Sequence, residues 1–279
     1  MNAFEQLEVI TLQPKIKLND LDFNLSNYNK LFEEHSVLFE NSHVICFPEY
    51  WNGIRKDFYN QTIFEKSIGF LEELADSSKK WIIGGSQLIK DQVDSYLNRS
   101  HIFDPSGTLV GTYDKRQPFG YEKIQGINAG KKELIWKIND WKAGIRICSD
   151  LWNTSDYSSL VTQEVDLLFC PILTTLQDSS YTNYGRFLWH NLAVIRAKEA
   201  AAAVVISDTA KQPIREPYWS AGASCFADPS KKFRNQERTG QRIISTIPSG
   251  EEGVILAKLD LHQIREQRQY RKDMGLLNI

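Results

Sequence analysis

Five short runs in this chain are apolar on successive residues, not on alternate ones: HVICF (43–47), WIIGGS (81–86), AGIRICS (143–149), DLLFCPI (166–172) and AVVIS (203–207). A strand with one wet face alternates polar and apolar side chains. A strand that does not alternate must be covered on both faces. Between and around these runs lie longer helical patterns. Leu21, Leu25, Tyr28, Leu31, Phe32 and Leu38 recur at roughly helical spacing over 21–40, a second helix is expected around 60–76, and FLWHNLAVIRAKEAAA (187–202) is rich in the strong helix former Ala. DLHQIREQRQYRKDM (260–274) reads as a final helix.

Further strands are predicted at LEVITLQ (7–13), ELIWKI (133–138), SCFAD (224–228), RIISTI (242–247) and GVILAKL (253–259). SHIFDPSGTLVGTYDK (100–115) reads as a hairpin, two β-rich runs flanking the turn signal Asp-Pro-Ser-Gly. No Pro-, Gly- or Ser-rich linker and no internal repeat divides the chain. The expectation is one α/β domain over 1–279, with two sheets stacked face to face and helices outside.

Composition narrows the function. The net charge is −2, and no global basic field of the kind nucleic-acid binders use is present. The densest basic stretch, IREQRQYRK near the C-terminus, is interrupted by Glu and Gln and reads as a solvated helix face. No run approaches the roughly 18–20 apolar residues of a membrane span. The N-terminus lacks a basic n-region followed by an apolar h-region, so the expected address is the cytoplasm. There Cys46, Cys148, Cys170 and Cys225 should be free thiols, and none forms a CxxC pair or stands at zinc-ligand spacing.

Three places carry candidate chemistry. In HVICFPEYWNG, Glu49 follows a buried-looking strand; it is either a solvated loop carboxylate or a partly desolvated one suited to general-base work. In GTYDKRQPFGYE, Lys115 ends a strand and Glu122 follows seven residues on, either as surface charges of a hairpin end or as a paired site. In GIRICSDLWN, Cys148 is either a core thiol or a nucleophile presented at a strand end, with the next backbone N–H, that of Ser149, aimed at the same point. Cys46, Cys170 and Cys225 sit in apolar settings and read as buried hydrophobes. None of the five histidines stands in a local signature.

Taken in order, FPE (47–49), YDK (113–115) with GYE (120–122), and RICSDLW (146–152) resemble the glutamate, lysine and cysteine motifs of the nitrilase superfamily of carbon–nitrogen hydrolases. The likeness extends to the hairpin before Lys115, to LLFCPIL, to WHNLAVIRAKEAAAAVVIS and to GASCFADPSKK, and covers about residues 7–270. The resemblance implies a four-layer α-β-β-α sandwich of two mixed sheets, and an enzyme with a Glu49-Lys115-Cys148 triad. It implies cleavage of a non-peptide C–N bond in a small amide or carbamoyl compound through a thioester. The reading calls for no metal, flavin or nucleotide. Lys115 and the Ser149 N–H would hold the oxyanion, and Glu122 would act as a second carboxylate.

The family also implies homodimers or higher homo-oligomers. Trp51, Tyr121, Trp152 and Tyr181 are aromatic candidates for a pocket, or for plain packing. Where many members have Cys-Tyr-Asp-(Leu/Ile)-Arg after the nucleophile, this chain has Cys-Ser-Asp-Leu-Trp-Asn. That is closer to the glutaminase domains attached to NAD synthetases. A partner-dependent glutaminase and a non-catalytic scaffold on the same fold are therefore the alternative readings.

Overall fold

The computed structural model describes residues 5–92, 95–230 and 243–277. Lys231 and Lys232 of the GASCFADPSKK element, and Arg242 at the head of the predicted strand 242–247, lie outside the described residues.

Two large mixed sheets form the centre. The first contains β1 (Gln6–Gln13), β2 (Val44–Cys46), β3 (Trp81–Ile83), β4 (Gln87–Gln92), β5 (Ser95–Phe103), β6 (Leu109–Asp114) and β15 (Gly253–Asp260). Strands β1, β2 and β3 run parallel, and β15 closes on β1 antiparallel. The second sheet has the order β14 (Ile243–Thr246), β13 (Cys225–Ala227), β10 (Ala203–Ser207), β9 (Leu167–Pro171), β8 (Trp141–Ile145), β7 (Ile135–Ile138). Here β8, β9 and β10 are the parallel core.

The runs that are apolar on every residue now have their reason. In β2, Val44 and Cys46 point into the cluster between the sheets, with Val9, Ile83, Ile145, Phe169 and Val205. Ile45 points the other way, to join Ile10, Ile82 and Phe103 under Tyr28 of α1 (Leu21–Glu34) and Leu71 and Ala75 of α3 (Gln61–Ser78). In the second sheet Phe169 faces inward. Leu168 and Cys170 face α6 (Thr182–Ala200) through Trp189, Ala193 and Ala197. Three apolar interlayers separate four layers, and each central strand contributes to two of them, because its side chains alternate between faces.

The predicted helix over 21–40 is broken at His35, with α2 (Ser36–Asn41) following α1. Elements without an apolar signature escaped the sequence. These are edge strand β4, the four-residue α4 (Tyr121–Ile124), the Ser/Thr-rich α5 (Thr154–Thr162), and the hairpin β11 (Pro213–Arg215)–β12 (Tyr218–Trp219).

The basic stretch of the last helix, α7 (Leu261–Asp273), is not simply a solvated face. Arg268 is 5% exposed, donates to Asp166 at 2.9 Å and to the Val165 carbonyl at 2.6 Å, and Arg265 adds a 2.8 Å bond to the same carboxylate. The pattern misled because a long guanidinium can lie in a buried slot while its helix neighbours stay wet. Asp166 would be raised by its burial, but the Arg265 bond, the Lys142 N–H and Arg268 outweigh that and hold it below its ordinary value. Arg268→Met should therefore cost about 3 kcal/mol, since it removes one partner of a buried ion pair. In a thermal melt Tm should fall by several degrees, and by more than for the half-exposed Arg265→Met.

Candidate active site

The C-terminal ends of the parallel strands bring the candidate residues together. Glu49 stands three residues past β2, Lys115 directly after β6, and Cys148 three residues past β8. The two sheets are joined at this point: the Glu49 N–H donates to the Ile172 carbonyl at 3.2 Å, and the Leu173 N–H donates to the Glu49 carboxylate at 2.8 Å. The FPE segment runs so close to the 84–85 turn that a Cβ on Gly85 (φ +53°) would sit 2.0 Å from the Pro48 carbonyl oxygen. Only glycine fits there.

Lys115 is the hub. Its Nζ lies 2.7 Å from Glu49 Oε1 and 2.7 Å from Glu122 Oε2, and Lys115 and Glu49 are each 2% exposed. Asn98 on β5 donates through Nδ2 to both carboxylates at 2.9 Å. Tyr50 donates its hydroxyl to Glu122 at 2.6 Å, and the Phe119 N–H adds a 2.9 Å bond to the same group. Cys148 lies within electrostatic reach of Glu49, Lys115 and Glu122, and Glu49 and Cys148 shift each other's titration. Glu49, Lys115, Glu122 and Cys148 are thus one connected cluster.

Burial raises Glu49 above its ordinary value; Lys115 opposes the rise and the charge of Glu122 adds to it. Glu122 goes the other way, because Lys115, the Tyr50 hydroxyl and the Phe119 N–H outweigh its burial. Burial would lower Lys115, but Glu49, Cys148 and Glu122 overcome it and hold the amine firmly cationic. Cys148 is pushed well up, first by burial and then by the charge of Glu49, with Lys115 pulling it back. The resting site therefore holds a thiol beside a carboxylate of raised basicity, and passing the proton from sulfur to Glu49 leaves the site's net charge unchanged.

Cys148 has φ +47°, a left-handed backbone rare for a residue with a Cβ. It opens a 3-10 turn, Cys148–Trp152, and Ser149 is the second residue of that turn. Backbone N–H groups at such a start have no acceptor inside the helix. The bend is braced by Asp150, fully buried, which accepts from the Tyr113 hydroxyl at 2.8 Å, the Gln117 N–H at 2.7 Å and the Ile147 N–H at 3.0 Å. The Ser149 hydroxyl donates to the Gln117 carbonyl.

The aromatic candidates divide. Trp51 is fully buried among Tyr28, Phe47 and Phe70 and does not line the site; its rings pack under α1 and α3. Trp152 is half-exposed with its edge against Trp189, and Tyr181 is exposed. Tyr121 is exposed beside Glu122. Asn98 and Tyr50 escaped sequence reasoning, as did the bracing contacts of Asp150. Asn98 stands between Leu97 and Arg99, ahead of the predicted hairpin, and carries no local signal. Among the described residues no group of three or more His, Cys, Asp or Glu is arranged to hold a metal ion, and no helix is long and apolar enough to cross a membrane.

A family model for carbon-nitrogen hydrolases matches residues 9–269. The chain belongs to the carbon-nitrogen hydrolase family. Its solved structural relatives share the nitrilase fold. Saccharomyces cerevisiae Nit3, of the nitrilase superfamily, superposes with a TM-score of 0.78 at 20% identity over 98% of this chain and 96% of its own. A carbon-nitrogen hydrolase from Helicobacter pylori G27 gives 0.79 at 14% identity over 98% and 95%. An amidase from Nesterenkonia sp. AN1, solved with acrylamide added to its active-site cysteine, gives 0.74 at 13% over 97% and 100%. In sequence, the chain is 26% identical over 176 residues to the 2-oxoglutaramate amidase of Paenarthrobacter nicotinovorans, an alignment spanning 58% of each protein.

Cys46, Cys170 and Cys225 are fully buried, whereas Cys148 is half-buried. Iodoacetamide on the folded protein should therefore label Cys148 alone, as read by peptide mass spectrometry. Since Lys115 pulls the thiol's pKa down, Lys115→Met should move the alkylation profile of Cys148 to higher pH.

Proposed function

We propose that the protein hydrolyses a small amide or carbamoyl compound through a Cys148 thioester, releasing ammonia or an amine. The observation that supports this most directly is the Lys115 ammonium clamped between Glu49 and Glu122, with Cys148 within electrostatic reach of both Glu49 and Lys115. In this reading Glu49 takes the thiol proton as sulfur attacks the amide carbon. The oxyanion is met by the Ser149 N–H and by Lys115. An ammonium has three donors; two point at carboxylates, and the third is available to the developing charge. Glu49 returns the proton to the departing nitrogen and the C–N bond breaks. It then deprotonates a water that attacks the thioester, giving the acid and restoring the thiol.

Glu122 is the standing counter-ion. Its lowered pKa keeps it charged, so Lys115 stays cationic and oriented while Glu49 alternates between protonated and ionised forms.

An ammonia-release screen over small amides tests the proposal. Cys148→Ala should abolish turnover. Lys115→Ala should lower kcat on the order of 100–1000-fold, the usual loss for one oxyanion donor, and near-normal turnover in that variant would sink its role. Glu49 must be ionised to act as base, and its pKa lies above the ordinary 4.5. The rate should therefore fall on acidification through an apparent pKa above 4.5, which a kcat/KM–pH profile reads directly.

A further inference from the structure

The hairpin β11–β12 stands on the same loop that holds Glu49. Trp219 exchanges backbone hydrogen bonds with Leu176 at 2.8 and 2.9 Å, and the Ala221 N–H donates to Thr174 Oγ1 at 2.6 Å, next to the Leu173 N–H that binds Glu49. From this hairpin the Arg215 guanidinium lies 4.2 Å from the centre of the Tyr121 ring and 5.2 Å from that of Tyr218. A second guanidinium, that of Arg55, comes from the loop that follows β2 and Glu49. Its Nη2 donates to the Tyr121 hydroxyl at 3.2 Å, and its carbon is 5.8 Å from the ring centre.

Two cations thus converge on one exposed tyrosine whose chain neighbour, Glu122, is bonded to Lys115. Among the described residues no carboxylate lies within ion-pair distance of either guanidinium, although other arginines of this chain, such as Arg99, Arg265 and Arg268, are paired. Their field is felt locally: Arg215 first and then Arg55 hold the Tyr121 phenol below its ordinary range.

We infer that Arg55 and Arg215, seated on Tyr121, form a carboxylate-recognition subsite at the rim of the amide site, and that the substrate is a short monoamide with a carboxylate at its far end. The Arg215 guanidinium over the Tyr121 face keeps its in-plane N–H groups free for the two-pronged contact with a carboxylate, and Arg55 has N–H groups beyond the one given to the Tyr121 hydroxyl. Charge sets the orientation as well. The inner cluster carries Glu49, Glu122 and only Lys115, a net charge of one negative, so it repels an anion. The rim attracts one. The neutral amide is directed to Cys148 and the carboxylate is held outside.

This inference rests on the amidase reading, and the experiment separates the two. Glutaramate and pentanamide differ only in a terminal carboxylate against a methyl group, so each enzyme preparation supplies its own control. Wild type should favour glutaramate in kcat/KM by about tenfold to a hundredfold, the usual range for one charge-assisted contact. In Arg215→Ala and Arg55→Ala that ratio should drop toward one, mainly through KM for glutaramate, with Arg215→Lys intermediate. A ratio near one in wild type, or one that neither substitution changes, overturns the subsite.

If no amide is turned over at all, the amidase reading fails instead. The subsite is then judged by calorimetric titration of glutaramate into Cys148→Ala, alone and combined with Arg215→Ala. Binding lost on the second substitution supports it, and binding that is absent or unaffected rejects it.

Discussion

One buried ammonium organises this protein's chemistry. Lys115 sits 2.7 Å from each of two carboxylates brought from different stretches of chain, with almost no solvent on any of the three. Taking such charges out of water costs several kcal/mol apiece unless partners surround them. Here Asn98, Tyr50 and the Phe119 and Leu173 N–H groups supply those partners. The result is a pair of glutamates with opposite tendencies. Glu122 is held ionised as a counter-ion and Glu49 is raised toward the basicity a proton shuttle needs. Two titratable groups of one type are driven apart by their surroundings, the condition under which such a pair can take different parts in the proposed mechanism.

The four-layer architecture matters because it sets the stage for that division. Glu49 leaves the first sheet and Cys148 the second, both at the carboxyl ends of parallel strands, where side chains emerge from a packed core onto a common rim. The interlayer of Val9, Val44, Ile145, Phe169 and Val205 fixes the spacing between the sheets. The Glu49 N–H bond to the Ile172 carbonyl and the Leu173 N–H bond to the Glu49 carboxylate stitch them at the site itself. The positive φ of Cys148 is held by Asp150 and its three donors, so the thiol is presented by a braced bend and not by a mobile loop.

Much of this was legible beforehand, for identifiable reasons. Runs such as VIC in β2 and LLFCP in β9 announce strands covered on both faces, and from these a two-sheet core with outer helices follows. FPE, YDK and RICSDLW mark the three central residues by type and order. The misreadings come from residues whose neighbours in space are far away in sequence. Trp51 lies two residues from Glu49, yet its side chain belongs to the cluster under α1 and α3. Arg268 lies in a charged helix, yet meets Asp166 over a separation of 102 residues. Asn98 reaches Glu49 across 49 positions. No local pattern encodes such meetings, and the Ser/Thr-rich α5 and the polar edge strand β4 carry no apolar period to betray them.

By itself the sequence determined the layering, the position of the hairpin that ends in Lys115, and the residue types available for catalysis, because hydrophobic periodicity and turn chemistry act over a few adjacent residues. Only the tertiary structure decided that the two glutamates are shifted in opposite directions, which thiol is reachable, and that two arginines far apart in sequence meet on Tyr121. Desolvation and Coulomb interaction depend on distance and surrounding dielectric, and those are properties of the packed chain, not of the order of its residues.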